Sequence, residues 1–210
     1  MSAVVLALTC PRCGGVFGGT GQDVVFWCAS CRMPFEVEHG RFAPRRGVVA
    51  QATGGSSEAM IHLPVWAFRV RSAMAWADPG KAERAQALPP IPWVYVAGFR
   101  VHNASYFADA GQVFTGRQPA LTPADGGVVM GCTRGMADAA VFVEAHLLAV
   151  IDRHVDVTGL TLQVEVAEAV LWGIPYVDEG TLMRDGIVGE TLPAAVIEAL
   201  PEIRMSRRHE

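Results

Sequence analysis

Cys10-Pro11-Arg12-Cys13 and Cys28-Ala29-Ser30-Cys31 stand fourteen residues apart near the amino terminus of a 210-residue chain. Each Cys-x-x-Cys makes a tight knuckle that aims two thiolates at one centre, and a spacer of hairpin length lets the two knuckles face each other. Four soft sulfur donors in a tetrahedron suit zinc first, with iron as the main competitor. Cys10, Cys13, Cys28 and Cys31 are therefore the predicted metal ligands. A zinc closed by four thiolates has no position left for water or substrate, so its role is structural. In small zinc modules such a site contributes about 10–16 kcal/mol to folding. Iron in the same place would make the module an electron carrier.

Working outward, the first knuckle runs into Gly14-Gly15 and then Gly18-Gly19-Thr20-Gly21, which suit a hairpin turn. Residues 23–27 read as a strand entering the second knuckle, and residues 35–42 as the returning strand. The apolar run 2–8 reads as the first strand of the module; it is too short and lacks the basic leader of a signal peptide. Over residues 3–43, and only there, the chain resembles the zinc-ribbon or rubredoxin-like class. The Cys-Pro-x-Cys-Gly knuckle at residues 10–14 carries that resemblance, whereas the second knuckle has Arg32 where the first has Gly14. The resemblance implies a fold and a metal. Ribbons of this kind serve transcription factors, ribosomal proteins, enzymes and assembly factors alike, and a fold does not confer a function.

Residues 1–43 are thus expected to form a zinc ribbon, residues 44–58 a polar glycine-rich linker, and residues 59–210 a body domain. Hydrophobic residues make up 51% of the chain and charged residues 18%, which fits a packed protein and excludes a disordered one. The formal net charge of -4 provides no overall pull toward nucleic acid. No stretch reaches the roughly 18 apolar residues of a membrane span. Four cysteines in metal spacing with one left over predict a reducing compartment, the cytoplasm.

In the body, residues 60–71 and 93–101 read as strands with apolar residues on both faces, hence buried on both sides. A loop rich in alanine, proline and charge joins them. Asn103 caps a helix predicted to reach Phe114 and stop at Gly116. Residues 128–132 read as a strand and 136–152 as the longest helix. Leu160, Leu162, Val164 and Val166 alternate with Thr161, Gln163 and Glu165, the pattern of a half-buried strand. Residues 171–177 and 181–188 suggest a hairpin, and residues 193–200 a closing helix begun by Pro193. Strands in runs with helices inserted define an α+β class.

Several residues are candidates for chemistry. Cys132, just before the long helix, has the position of an activated thiol but lies in no Cys–His signature. His146 and His154 lie nearly on one helical face with Asp152 and Asp156 close by, a candidate second metal site. Asp178, Glu179 and Asp185 could act as paired carboxylates, although their glycine-rich surroundings suit turns better. Arg32, Arg41, Arg45 and Arg46 could form a basic face, with Trp27 and Phe35 as stacking surfaces. Trp66, Phe68, Trp93, Tyr95, Phe99, Trp172 and Tyr176 are either core or the lining of a pocket or interface. No residue is assigned as catalytic. The chain is expected to be an accessory or adaptor protein that binds a protein partner or its own copy. An enzyme built on Cys132 or the 178–185 carboxylates, and nucleic-acid binding through the ribbon face, stand as alternatives. On a flexible joint, Cys28→Ser would unfold the ribbon and spare the body.

Overall fold

The computed structural model describes residues 7–53, 60–127 and 129–207, without the side chains of residues 104–109 and 207. Four short strands open the chain: β1 (Phe17–Gly18), β2 (Val25–Cys28), β3 (Pro34–Glu38) and β4 (Arg41–Pro44). They form one antiparallel sheet in that order. Residues 35–42 are not the single returning strand expected. His39 and Gly40 take positive φ values of 50° and 75°, a left-handed pair that folds β3 back onto β4 as a hairpin. A small aromatic core of Phe17, Phe26, Phe35 and Phe42 fills this module beside Cys10 and Cys28. The first strand expected over residues 2–8 lies mostly outside the described residues.

Residues 44–53 are not a free linker. Gly47–Val49 forms β5, which joins the large sheet of the body in parallel, with Gly47 opposite Leu171 and Val49 opposite Gly173. The bonds continue on either side: Leu171 N–H donates to the Arg46 carbonyl, Ala50 N–H to Gly173 and Gln51 N–H to Thr122. Glycine at position 47 is needed for contact, since a Cβ there would stand 2.4 Å from Pro34 Cγ and 2.8 Å from the Trp27 ring. The rest of the expected linker, residues 54–58, lies outside the described residues.

The body is built on β6 (Met60–Trp76), the 17-residue strand at its centre. Helix α1 (Pro79–Gln86) occupies the expected loop; Asp78 caps it through Gly80 N–H and Lys81 N–H, with proline at its start. Strand β7 (Trp93–Ala97) and helix α2 (Ala104–Arg117) follow, and α2 continues past Gly116. The expected long helix is two pieces, α3 (Met136–Ala140) and α4 (Val143–Asp152), so α2 is the longest helix described. Residues 128–132 provide only one bridge, His62 to Val129, with Val128 outside the described residues.

Strand β8 (Leu160–Asp178) merges two segments read separately into 19 continuous residues, and β9 (Leu182–Asp185) and β10 (Thr191–Pro193) complete the sheet. Its order is β10-β9-β8-β6-β7, with β5 beside β8. Pro193 ends a strand and does not begin a helix. A single 3₁₀ turn (Ala194–Val196) leads to α5 (Leu200–Arg207). This is the α+β architecture expected.

Period two along β6 divides the interior into two cores, as expected of a strand buried on both faces. Ile61, Leu63, Val65 and Ala67 point to the face covered by Ala110 and Phe114 of α2 and by Leu200 and Ile203 of α5. Trp66, Phe68 and Val70 point to the other face, where Val143, Leu147 and Ile151 of α4 meet them. Val25 and Trp27 of β2 belong to that second core, so the amino-terminal module and the body share one buried cluster.

Candidate metal centre

The two knuckles repeat one backbone pattern. In the first, Cys10 N–H donates to the Gly15 carbonyl at 2.7 Å and Gly14 N–H to the Cys10 carbonyl at 2.9 Å. In the second, Cys28 N–H donates to Met33 at 3.0 Å and Arg32 N–H to Cys28 at 2.8 Å. Gly14 and Arg32 hold equivalent places, and both are left-handed, with φ of 75° and 56°. Arg32 thus adopts the conformation that glycine provides more cheaply at the first knuckle.

These turns bring the sulfurs together. Cys10 Sγ lies 3.6 Å from Cys31 Sγ, Cys13 Sγ lies 3.5 Å from Cys28 Sγ, and all four fall within 4.8 Å of one another. A disulfide needs about 2.05 Å, so the cysteines are free thiols. A tetrahedral metal with sulfur bonds of about 2.3 Å needs separations close to those found. The surroundings suit charged sulfur too: backbone N–H groups of Gly15, Met33, and both Ser30 and Cys31 point at Cys13, Cys31 and Cys28 respectively. Burial works to raise the Cys28 thiol, yet these N–H groups and the neighbouring thiols draw it down to about 7. Burial first, and then the other cysteines, push Cys31 up to about 12. One thiolate forms readily and opposes the next; a divalent cation at the centre removes that opposition. The four cysteines can therefore bind a metal ion, and the donor set favours zinc.

The module is fixed to the body by its backbone and two carboxylates. Val24 N–H and Val25 N–H both donate to the Cys132 carbonyl, at 2.8 and 3.2 Å. Asp23 accepts from Gly131 N–H at 3.2 Å and from the Thr20 hydroxyl at 2.7 Å. Buried Glu36 accepts from Met136 N–H at 3.0 Å, capping α3 from the other module, and from Arg45 Nε at 2.7 Å. Sequence reasoning missed this joint; its only local signal was an acidic residue beside each apolar strand of the module, Asp23 before residues 24–27 and Glu36 among residues 35–37.

The other candidates are buried or held in local contacts. Cys132 is 2% exposed within the second core, and burial, followed by the charges of Asp23 and Glu36, pushes its thiol far up. Asp185 is buried and accepts from the N–H groups of Ile187, Val188, Gly189 and Glu190. Asp178 pairs with Arg204 at 2.6 and 2.7 Å, and Glu179 with Arg184 at 2.6 Å. His146 is buried while His154 is exposed, so they do not converge. Among the described residues only the four cysteines form a cluster able to hold a metal. Arg45 is bound to Glu36 and Glu38, and Arg46 pairs with Glu168.

The aromatic residues divide. Trp66, Phe68 and Phe99 are core. Tyr95 is core too, and with Trp93 and Trp172 it also lines a cleft of about 340 Å³ that has Arg46 and Glu168 at its side. Burial pushes the Tyr95 hydroxyl up to about 12. No helix among the described residues is long and apolar enough to cross a membrane. No family model, curated protein or solved structure matches the chain. Fold and site thus define an α+β protein with a four-cysteine cluster near its amino terminus.

Proposed function

We propose that the protein is a cytoplasmic zinc-ribbon accessory protein that acts by contact with other proteins inside a larger assembly. The observation that carries this reading is the closed four-sulfur centre, seated in a module whose Val25 and Trp27 belong to the core of the body. A metal enclosed by four thiolates holds a surface in shape and leaves no coordination position for a substrate. That surface exposes apolar side chains: Val16 is 76% exposed, and Phe17 N–H bonds to the carbonyl of Leu8, itself 46% exposed. The pairing of Arg45 and Arg46 with carboxylates weighs against a nucleic-acid face.

Affinity purification of the tagged protein from its own host, at near-physiological salt, tests the reading. Recovery of one zinc per chain with a stoichiometric protein partner is the expected result. A chain that purifies with neither protein partner nor second copy would overturn it. A small-molecule-binding or catalytic body is the second reading, favoured by the cleft between Trp93, Tyr95 and Trp172.

A further inference from the structure

The two long flanks of the body sheet are treated differently. Along β7 the outward backbone is satisfied by side chains. Gln118 accepts from Trp93 N–H at 3.2 Å and donates to the Trp93 carbonyl at 2.6 Å. The Thr115 hydroxyl accepts from Tyr95 N–H at 2.9 Å, and His146 Nδ1 meets the Tyr95 carbonyl at 2.9 Å. This edge is closed.

Strand β8 is covered on its far side only in part. Strand β5 pairs with residues 171–173 and β9 with residues 176–178. Among the described residues, 160–170 pair with β6 alone. From Leu160 opposite Trp76 to Val166 opposite Val70 the register is unbroken; the irregularity falls beyond it, at Arg69/Val70. Half of the N–H and C=O groups along such a strand face away from its one neighbour. Residues 160–166 contain no proline and no lysine, the usual guards of an exposed edge.

The segment also matches itself. Its polar residues Thr161, Gln163 and Glu165 are exposed on one face, opposite Ala75, Ala73 and Arg71 of β6. Its apolar residues occupy the other face, where Val166 is 43% exposed and Met74 41%. Antiparallel pairing with a second copy about an axis at Gln163 or Val164 keeps apolar residues opposite apolar ones, because side chains alternate with period two. Leu162 then faces Val164 or Val166, and Glu165 faces Thr161 or Gln163, so no like charges oppose each other.

We propose that two copies of the chain join edge to edge through residues 160–166, forming one continuous sheet across a two-fold axis. This rests on the reading that the protein works by protein contact, and makes its first partner a second copy of itself.

The test is sedimentation equilibrium of the full-length zinc-loaded chain over the micromolar range, combined with amide hydrogen exchange at high and low concentration. The expected result is a dimer whose amides within residues 160–166 gain protection as it forms. Val166→Lys would place two charges in the seam and abolish the dimer, while Val141→Lys, at an exposed site elsewhere, would keep it. Exchange on the unaltered chain reads the edge even if the lysine variant folds poorly. A monomer at every concentration would overturn the proposal, as would protection independent of concentration or a dimer with fast exchange throughout 160–166. A monomer that still captures a stoichiometric partner would overturn the dimer and leave the adaptor reading intact.

Discussion

Arg32 holds a left-handed backbone at the place where the first knuckle has Gly14, and that conformation is costly for any residue with a Cβ. Its ion pair to Asp125 at 3.9 Å, the one found among the described residues, is solvent-exposed and contributes little. Arg32→Gly is therefore expected to stabilise the module by about 1 kcal/mol. Chelator competition would register this as tighter metal retention, and an unchanged or weaker hold would count against strain at this turn. The sequence made the missing glycine visible, but not that the backbone repeats the first turn regardless. His146 shows the same limit: it was read as a metal candidate and serves the β7 edge. Burial first, and Arg134 second, lower its pKa, while the Tyr95 carbonyl works to raise it. The unfolded chain therefore binds a proton before the folded one does. Stability from this group is complete above about pH 6.5 and falls as the pH drops toward the folded value, by at most about 1.4 kcal/mol per unit. Denaturant titrations of wild type and His146→Asn between pH 7.5 and 5.5 would check it, the variant showing the flatter profile; equal slopes would exclude His146 as the cause.

At the scale of elements, strand periodicity was the most legible signal. Alternation from Leu160 to Val164 appears in the structure as half-buried and exposed residues in turn, and the predicted double-sided burial of β6 and β7 is seen in the two cores. The misread elements differ in cause. Residues 35–42 are folded back by the local left-handed pair His39-Gly40. Residues 136–152 form two helices broken near Val141, and the start of the first is capped by Glu36, a hundred residues away. Glu36→Ala would strip Met136 N–H of its partner and leave Arg45 beside Glu38 alone, for an expected loss of about 3–5 kcal/mol. Arg46→Ala, which removes an exposed pair with Glu168, should change stability by no more than about 0.5 kcal/mol. Urea midpoints of the two variants would show the contrast, and similar losses would mean that Glu36 is no keystone of the joint.

At the scale of the whole molecule, the amino-terminal module continues into the sheet of the body, where a flexible joint was expected. Strand β5 pairs with β8, Trp27 lies against Gly47, and the Cys132 carbonyl accepts hydrogen bonds from Val24 and Val25 N–H. Cys28→Ser, or metal removal, is accordingly expected to lower the stability of the body by several kcal/mol as the module loosens, a fraction of the metal's folding contribution. Thermal unfolding followed in near-ultraviolet circular dichroism should show one cooperative transition that moves down in the variant. Two separate transitions, the upper one unmoved, would restore the two-module picture.

Spacing and chemistry alone picked out the four cysteines that the fold brings together, because Cys-x-x-Cys turns are local and a tetrahedral cation accepts few alternatives. Composition and patterning determined the α+β class and the strands buried on both faces, since a strand with both faces covered must be apolar on both whatever the topology. Only the tertiary structure decided that residues 47–49 of the expected linker form a strand, that Cys132, His146 and Asp185 are buried, and that among the described residues 160–170 pair with β6 alone. Each of these depends on which residues meet across long separations in sequence, and such meetings follow from packing and hydrogen-bond satisfaction over the whole chain.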